Sequence, residues 1–362
     1  MARKLYLVDL ESVETRYTSQ WKAILPDQLK NFGISTTAIS GKDIGSNTSP
    51  GAFLNFAGTN AYKSDQLIQI ASLFSSKKVK AGDYFLYTDA WNPTVIQLKY
   101  MSELLGIPVK IGGLWHAGSY DPQDFLGRLI GDKPWVRSAE HSMFSCYDHN
   151  FFASKFHVEL FANCFGDQTA DELIKNNDTV KILGWPMEYL PKLLEKFQLP
   201  YSKKKEKIVF PHRLAPEKQL EIFKDLAASM PEYEWVALQE HKLQKNEYYS
   251  HLATSKIVFS ANLQETLGIS MYEGALLGSF PLVPDRLSYV EMWDDYFKYP
   301  SEWTKDWTSY QENKPLLVSK IRNIMNSNSP DMNNTIKTLS YRTGKKFFTG
   351  KDLYNIIYDT LK

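Results

Sequence analysis

Short apolar runs alternate along this chain with longer stretches whose apolar residues recur every three or four positions. Leu5–Leu10 reads as a strand, and Trp21, Ile24, Leu25 and Leu29 then share one helical face that Gly33 ends. Ile34–Ile39 is the next strand, and Ser64–Phe74 is a helix with Leu67, Ile70 and Leu73 on one side. Asp83–Asp89 is a buried strand; Asn92 caps the helix after it, Pro93 suits its first turn, and Gly106 follows its last. Ile107–His116 is a strand running into a loop, and Phe144–Tyr147 and Val180–Leu183 read as closing strands. Polar loops are expected at Glu11–Ser19 and Gly41–Ser49, the second over the site. This alternation predicts a doubly wound parallel α/β sheet.

The pattern then restarts. Gly184-Trp-Pro marks a boundary, and Lys203–Lys207 reads as a solvated linker. Beyond it come a strand at Ile208–Phe210 and a helix at Pro216–Ser229 with Leu220, Phe223 and Ala227 inward. Strands follow at Glu234–Leu238, Lys256–Ser260 and Phe280–Val283, and amphipathic helices at Leu316–Met325 and Leu353–Leu361. The expected organisation is a domain over 1–184, a linker over 185–206, a second domain over 207–349 and a final helix over 350–362.

Composition narrows the class. The 362 residues are 43% hydrophobic, enough for two full cores, with a net charge of +1 that excludes a general polycation for nucleic acid. No apolar run of about 18 residues occurs, and Met-Ala-Arg-Lys leads straight into a strand, so neither a membrane span nor a signal peptide is expected. Cys146 and Cys164 give no disulfide framework, which suits a cytoplasmic protein. His141, His149 and His157 with Cys146 form no metal-ligand spacing, and structural roles are expected for them. Aromatic residues reach 14%, a surplus able to stack on sugars or bases.

Two carboxylates stand eight residues apart in Glu265-Thr-Leu-Gly-Ile-Ser-Met-Tyr-Glu273. The preceding strand puts Glu265 in a strand-to-helix loop and Glu273 near the second turn of the helix. Both then lie toward the carboxyl ends of parallel strands, where open sheets bind ligands. Carboxylates there accept hydrogen bonds from a polyol, and the amides of 266–269 suit phosphate oxygens.

This segment resembles the Glu-x7-Glu signature of retaining glycosyltransferases with the GT-B fold, particularly family GT4. Lys207-Ile-Val-Phe-Pro-His-Arg-Leu-Ala-Pro-Glu-Lys218 resembles the same family's strand followed by Arg-Leu-x-x-x-Lys. The resemblance implies two Rossmann-like domains facing each other across a cleft, the last helix crossing back to the first domain. It implies a nucleoside-diphosphate-sugar donor, a UDP-sugar first, held by Arg213, Lys218, Glu265, Thr266, Leu267, Gly268, Ile269 and Glu273. Arg213 and Lys218 would steady the diphosphate, Glu265 the transferred sugar and Glu273 the ribose. His116, at a strand end, would contact the donor sugar and join Arg213, Lys218 and Glu265 as the catalytic set. Asp89, Trp91 and Asn92 fall on the acceptor side. No Asp-x-Asp occurs, so no metal and no cofactor is expected.

The acceptor is a glycan, a glycolipid or a hydroxymethylated DNA base. The last follows from similarity to compact, aromatic-rich enzymes of bacteriophages, which would act in the host cytoplasm. Lys77, Lys78, Lys80, Arg128, Lys133 and Arg137 would supply the basic face that DNA requires. Rival readings are a non-catalytic nucleotide or nucleic-acid binding protein on the same scaffold, and a sugar phosphorylase. The chain departs from the family in three places. Glu11–Tyr17 replaces a glycine pair, and His212 and Gln219 stand where glycines commonly flank the Arg…Lys motif.

Overall fold

The computed structural model describes residues 3–11, 17–43, 45, 55–165, 168–327 and 330–362. Most of the two polar loops expected at 11–19 and 41–49 lies outside them. The chain divides into two compact units, 1–186 with 350–362, and 187–349.

The first unit is built on β1 (Leu5–Val8), β2 (Thr36–Ile39), β3 (Tyr84–Tyr87), β4 (Lys110–Trp115), β5 (His149–Phe152) and β6 (Val180–Ile182). They form one sheet in the order β2-β1-β3-β4-β5-β6, every pairing parallel. β1 and β3 are buried along their whole length, as strands covered on both faces must be. The second unit holds β7 (Lys205–Phe210), β8 (Glu234–Ala237), β9 (Ser255–Phe259), β10 (Phe280–Pro284) and β11 (Lys298–Tyr299), in the order β11-β10-β9-β7-β8 and again all parallel. Both sheets are doubly wound. Each has one switch point, where consecutive connections leave in opposite directions: β1/β3 in the first unit and β7/β9 in the second.

The final helix, Lys351–Leu361, belongs to the first unit. It buries Leu353, Tyr354 and Ile357, and Tyr354 and Tyr358 pack on Phe32 at centroid distances of 5.4 and 6.2 Å. Among the described residues no helix is long and apolar enough to cross a membrane.

Two expectations are corrected. Residues 144–146 are the end of a helix, Pro134–Cys146, whose buried residues Val136, Glu140, Met143 and Phe144 keep helical spacing; the strand follows at His149–Phe152. The polar residues His149 and Asn150 concealed it. Asn150 is fully buried because its side chain accepts from Trp115 Nε1 at 2.9 Å and donates to the Phe144 carbonyl and Thr179.

Lys203–Lys207 is not a solvated linker either, since Lys204 and Lys207 are buried and β7 begins at Lys205. Lys204 Nζ donates to the carbonyls of Ala253 and Leu277 and to Ser279 Oγ at 2.5, 2.8 and 3.1 Å. It thereby closes the C-terminal ends of the helices Lys245–Thr254 and Ile269–Leu276, where carbonyls lack partners within the helix. Burial pushes Lys204 down to about 7. A lysine whose folded-state pKa lies below its unfolded value binds fewer protons when folded, so stability rises with pH between the two values. From pH 7 to about pH 9 the protein is expected to gain stability relative to Lys204→Met. Urea-unfolding midpoints of the two proteins across that range are the measurement, and equal slopes contradict the assignment.

Candidate functional site

Of the residues singled out by the resemblance in the second unit, Arg213, Lys218 and residues 265–269 gather around the β7/β9 switch point. Beyond β7 the chain runs Pro211-His212-Arg213, makes a single 3-10 turn over Pro216–Lys218 and enters the helix Leu220–Ser229. Beyond β9 it runs through Asn262 and Gln264 to Glu265 and enters the helix Ile269–Leu276 at Gly268. Gly268 has φ 69°, and a Cβ there would lie 2.7 Å from the buried Tyr289 ring, so the entry turn requires glycine.

The two loops meet through Lys218 and Glu265. Lys218 is buried; its Nζ donates to the Gln264 carbonyl and, at 3.2 Å, to the Gln264 side-chain oxygen, with Glu265 Oε2 at 3.8 Å. Glu265 is partly exposed. Its Oε1 accepts from the amides of Thr266 and Leu267 at 3.2 and 3.4 Å, so two of the four amides expected to receive phosphate oxygens point to this carboxylate. Arg213 is partly exposed and held by Glu217, whose Oε1 accepts from Nε and Nη2 at 2.9 and 2.5 Å. His212 is buried between the same loops, its Nδ1 3.3 Å from Asn262 Nδ2. Burial first, then the Lys218 and Arg213 cations, hold its imidazole well below the usual histidine range.

Glu273 sits apart from this group. It is 3% exposed and faces the helix Lys245–Thr254, accepting from Tyr248 at 3.0 Å, Tyr249 at 3.3 Å and Lys245 at 3.4 Å. Burial, and next the Glu273 charge, raise Tyr248 well above an ordinary tyrosine. Lys245 also lies over both tyrosine rings, 4.8 and 4.9 Å from the centroids. The sequence reading missed these three residues, although positions 245, 248 and 249 carry the i, i+3, i+4 signal of one helical face.

In the first unit the expected residues occupy the carboxyl ends of β3 and β4. His116 follows β4 with both ring nitrogens engaged: Nδ1 lies 2.5 Å from the Tyr17 hydroxyl and Nε2 2.6 Å from the Thr88 carbonyl. Its ring packs against Tyr17, Trp21 and Trp185. Asp89 accepts from the Trp91 amide at 3.1 Å, and Trp91 Nε1 donates to Glu140 at 2.8 Å. Asn92 accepts from the amide and hydroxyl of Thr94 at 3.2 and 2.8 Å, one position ahead of Pro93, which is the residue that caps the helix Thr94–Leu104. Of the basic residues considered for DNA, Arg137 is paired with Asp132 and bonded to the Cys164 carbonyl, and Arg128 donates to the Gln123 carbonyl. Among the described residues no group of three or more His, Cys, Asp or Glu side chains is placed to hold a metal ion.

No family model matches this chain, and no curated protein does. Solved structures do. The N-terminal domain of Candida albicans trehalose-6-phosphate phosphatase superposes with a TM-score of 0.60 at 12% identity, covering 100% of this chain and 97% of that one. The catalytic domain of Arabidopsis thaliana starch synthase IV, bound to ADP and acarbose, gives 0.60 at 10%, covering 99% and 98%. Anabaena HepE, in complex with UDP and glucose, gives 0.56 at 11%, covering 99% of each chain. The fold is GT-B. At such identities the likeness establishes the fold alone, and the chemistry of this GT-B chain rests on its own residues.

Those residues divide in an experimentally separable way. Glu273→Ala strands two buried tyrosine hydroxyls and an ammonium, with an expected loss of about 2–4 kcal/mol. Glu265→Ala leaves Lys218 its Gln264 contacts, and the expected loss is about 1 kcal/mol. Denaturant unfolding of both variants measures the difference, and equal losses would remove the structural role given to Glu273.

Proposed function

We propose that this protein is a retaining glycosyltransferase that moves a sugar from a nucleoside-diphosphate-sugar donor, a UDP-sugar first, to an acceptor hydroxyl. The observation that carries the reading is the convergence of Lys218 with Glu265, beside the Arg213–Glu217 pair, at the carboxyl edge of β7 and β9. Two cations and two carboxylates gather at this switch point, so the cations can meet the phosphates of a sugar diphosphate and Glu265 its hydroxyls.

In this reading the bond between the sugar's anomeric carbon and the diphosphate oxygen breaks. A bond from that carbon to the acceptor oxygen forms on the same face, and the acceptor's proton passes to the departing diphosphate. Negative charge grows on the leaving oxygen, and fixed cations beside it lower the barrier. Glu217 keeps the Arg213 fork oriented, so little reorganisation is needed when that charge appears. Glu265 accepts hydrogen bonds from the transferred sugar. Glu273, set by Lys245, Tyr248 and Tyr249, accepts from the ribose hydroxyls. His116, tied to Thr88 and Tyr17, acts by holding the β3 and β4 ends in register. The acceptor is a glycan or glycolipid hydroxyl or a hydroxymethylated DNA base: of the basic residues considered for DNA, Arg137 and Arg128 contact partners within the protein, whereas Lys77, Lys78, Lys80 and Lys133 are exposed.

Donor turnover tests this. With UDP-glucose and related UDP-sugars, Arg213→Ala and Lys218→Ala are each expected to lower donor hydrolysis or transfer about 100- to 1000-fold with the fold intact by circular dichroism. Wild-type turnover in the variants, or turnover that requires inorganic phosphate as co-substrate, removes the transferase reading. Because Arg213 and Lys218 supply the diphosphate's countercharge, turnover is expected to survive EDTA. A loss restored by added magnesium or manganese contradicts that assignment.

A further inference from the structure

The donor reading draws on the loops after β7 and β9 and leaves the loop after β10 without a role. That loop, residues 285–288, leads into the short helix Tyr289–Met292, and Leu287 within it has φ 60°. Glycine takes this left-handed conformation freely, whereas a leucine is strained in it. Among the described residues Lys77, Gln219 and Leu287 are the non-glycine residues with positive φ. Lys77 lies just past the end of the helix Phe56–Ser75. Gln219 and Leu287 follow β7 and β10, the two strands that flank β9 in the sheet. Such strain persists where the surrounding contacts over-determine it, and it gathers at functional sites.

The residues on either side of Leu287 both reach the loop after β9. Arg286 Nε donates to the Asn262 carbonyl at 2.7 Å, and Nη2 donates to the Ala261 carbonyl at 2.7 Å. The rest of its fork goes to the Ser301 carbonyl and to Thr304. The Ala261 carbonyl is thus gripped from both flanks, since Gln219 Nε2 also donates to it at 2.5 Å. Tyr289 is fully buried and touches the loop at its beginning and its end. Its hydroxyl lies 3.1 Å from Ser260 Oγ and accepts from Asn262 Nδ2 at 3.2 Å. Its ring lies against Gly268, where a Cβ would come within 2.7 Å.

Residues 260–262 and 268 are therefore fixed from below, and Glu265 rides between them. Burial first, and then the Glu265 charge, raise Tyr289 well above an ordinary tyrosine, which puts that carboxylate within electrostatic reach of the phenol. The 3.8 Å separation of Glu265 from Lys218 depends on where this loop is held.

We propose that Arg286 and Tyr289 are positioning residues of the transfer step: by clamping the two ends of the loop 260–268 they set where Glu265 meets the transferred sugar. The identity of the ligand rests on the donor reading of the second unit; the clamp rests on the contacts alone. A displacement of about 1 Å at a reacting centre can lower a rate about 100-fold without a comparable loss of binding. UDP lacks the sugar that Glu265 meets, so its affinity depends on Arg213, Lys218 and Glu273 and is expected to stay.

The test compares the full wild-type chain with Arg286→Lys and Tyr289→Phe, each checked for folding by circular dichroism. An ammonium cannot span the carbonyls that the guanidinium fork spans, and phenylalanine removes the hydroxyl alone. Three quantities are measured: UDP affinity by calorimetry, turnover of UDP-glucose, UDP-galactose and UDP-N-acetylglucosamine, and deuterium exchange of peptides covering 260–268. In both variants UDP is expected to bind within about threefold of wild type. The kcat for the best of the three sugars is expected to fall about 10- to 100-fold. Exchange over 260–268 is expected to quicken about tenfold, with the helix Leu220–Ser229 unchanged. The proposal is overturned if kcat is unchanged, if turnover falls only as far as UDP affinity does, or if exchange over 260–268 stays as in wild type. A wild-type chain that neither binds UDP nor turns over any of these sugars loses the donor reading, and with it the transfer role; faster exchange in the variants then retains the clamp alone.

Discussion

The constraint on which the site depends is the geometry of a parallel sheet at its switch point. Where one strand's connection leaves over one face and its neighbour's over the other, the loops diverge at the carboxyl edge, and backbone does not fill the space. Each unit has one such edge, and each collects polar groups that a core would reject. At β7/β9 these are His212, Glu217, Lys218, Gln219, Asn262 and Gln264; at β1/β3 they are Asp9, Glu11 and Thr88, joined by the inward residues of the Phe56–Ser75 helix. Burying a polar group is unfavourable unless it is bonded, so such a collection persists only where the side chains satisfy each other or a ligand.

The second edge was largely legible in the sequence because its chemistry is local. Arg213 and Lys218 both lie in the connection between β7 and the next helix, Glu265 lies in the loop after β9, and the strands are short apolar runs with clear borders. Residues whose role depends on a distant element were not legible. Glu273 owes its surroundings to Lys245, Tyr248 and Tyr249, and Asp9 to Ser40, Tyr62 and Gln66. Nothing near Asp9 or Glu273 in the chain signals those partners. The same holds for Lys204, which looks like part of a charged linker until two helix ends supply its acceptors.

The two departures from the family pattern near the Arg…Lys motif have one physical account. Gln219 has φ 55°, the left-handed conformation that explains a glycine preference at that position. Its side chain compensates for the strain: Nε2 donates to the carbonyls of Ala261 and Thr304 at 2.5 and 2.7 Å. His212, in the other glycine position, meets Asn262. Both substitutions therefore add a link from the loop after β7 to the loop after β9, and Arg286, beyond β10, fixes that second loop by donating to the carbonyls of Ala261, Asn262, Ser301 and Thr304. A glycine-lined loop relies on backbone amides and open space near a phosphate. This one is braced by side chains, which fixes Lys218 and Glu265 more firmly and leaves less of the loop free to move.

Charge is set against charge at both edges. At the second, Arg213 pairs with Glu217 and Lys218 lies 3.8 Å from Glu265, while burial first, and then the two cations, keep the His212 imidazole well below the usual histidine range. The first edge does the same with its lysines: Lys22 pairs with Asp9 at 3.3 Å, and Lys63 is held on the Trp91 carbonyl beside the buried Glu11–Thr59 bond.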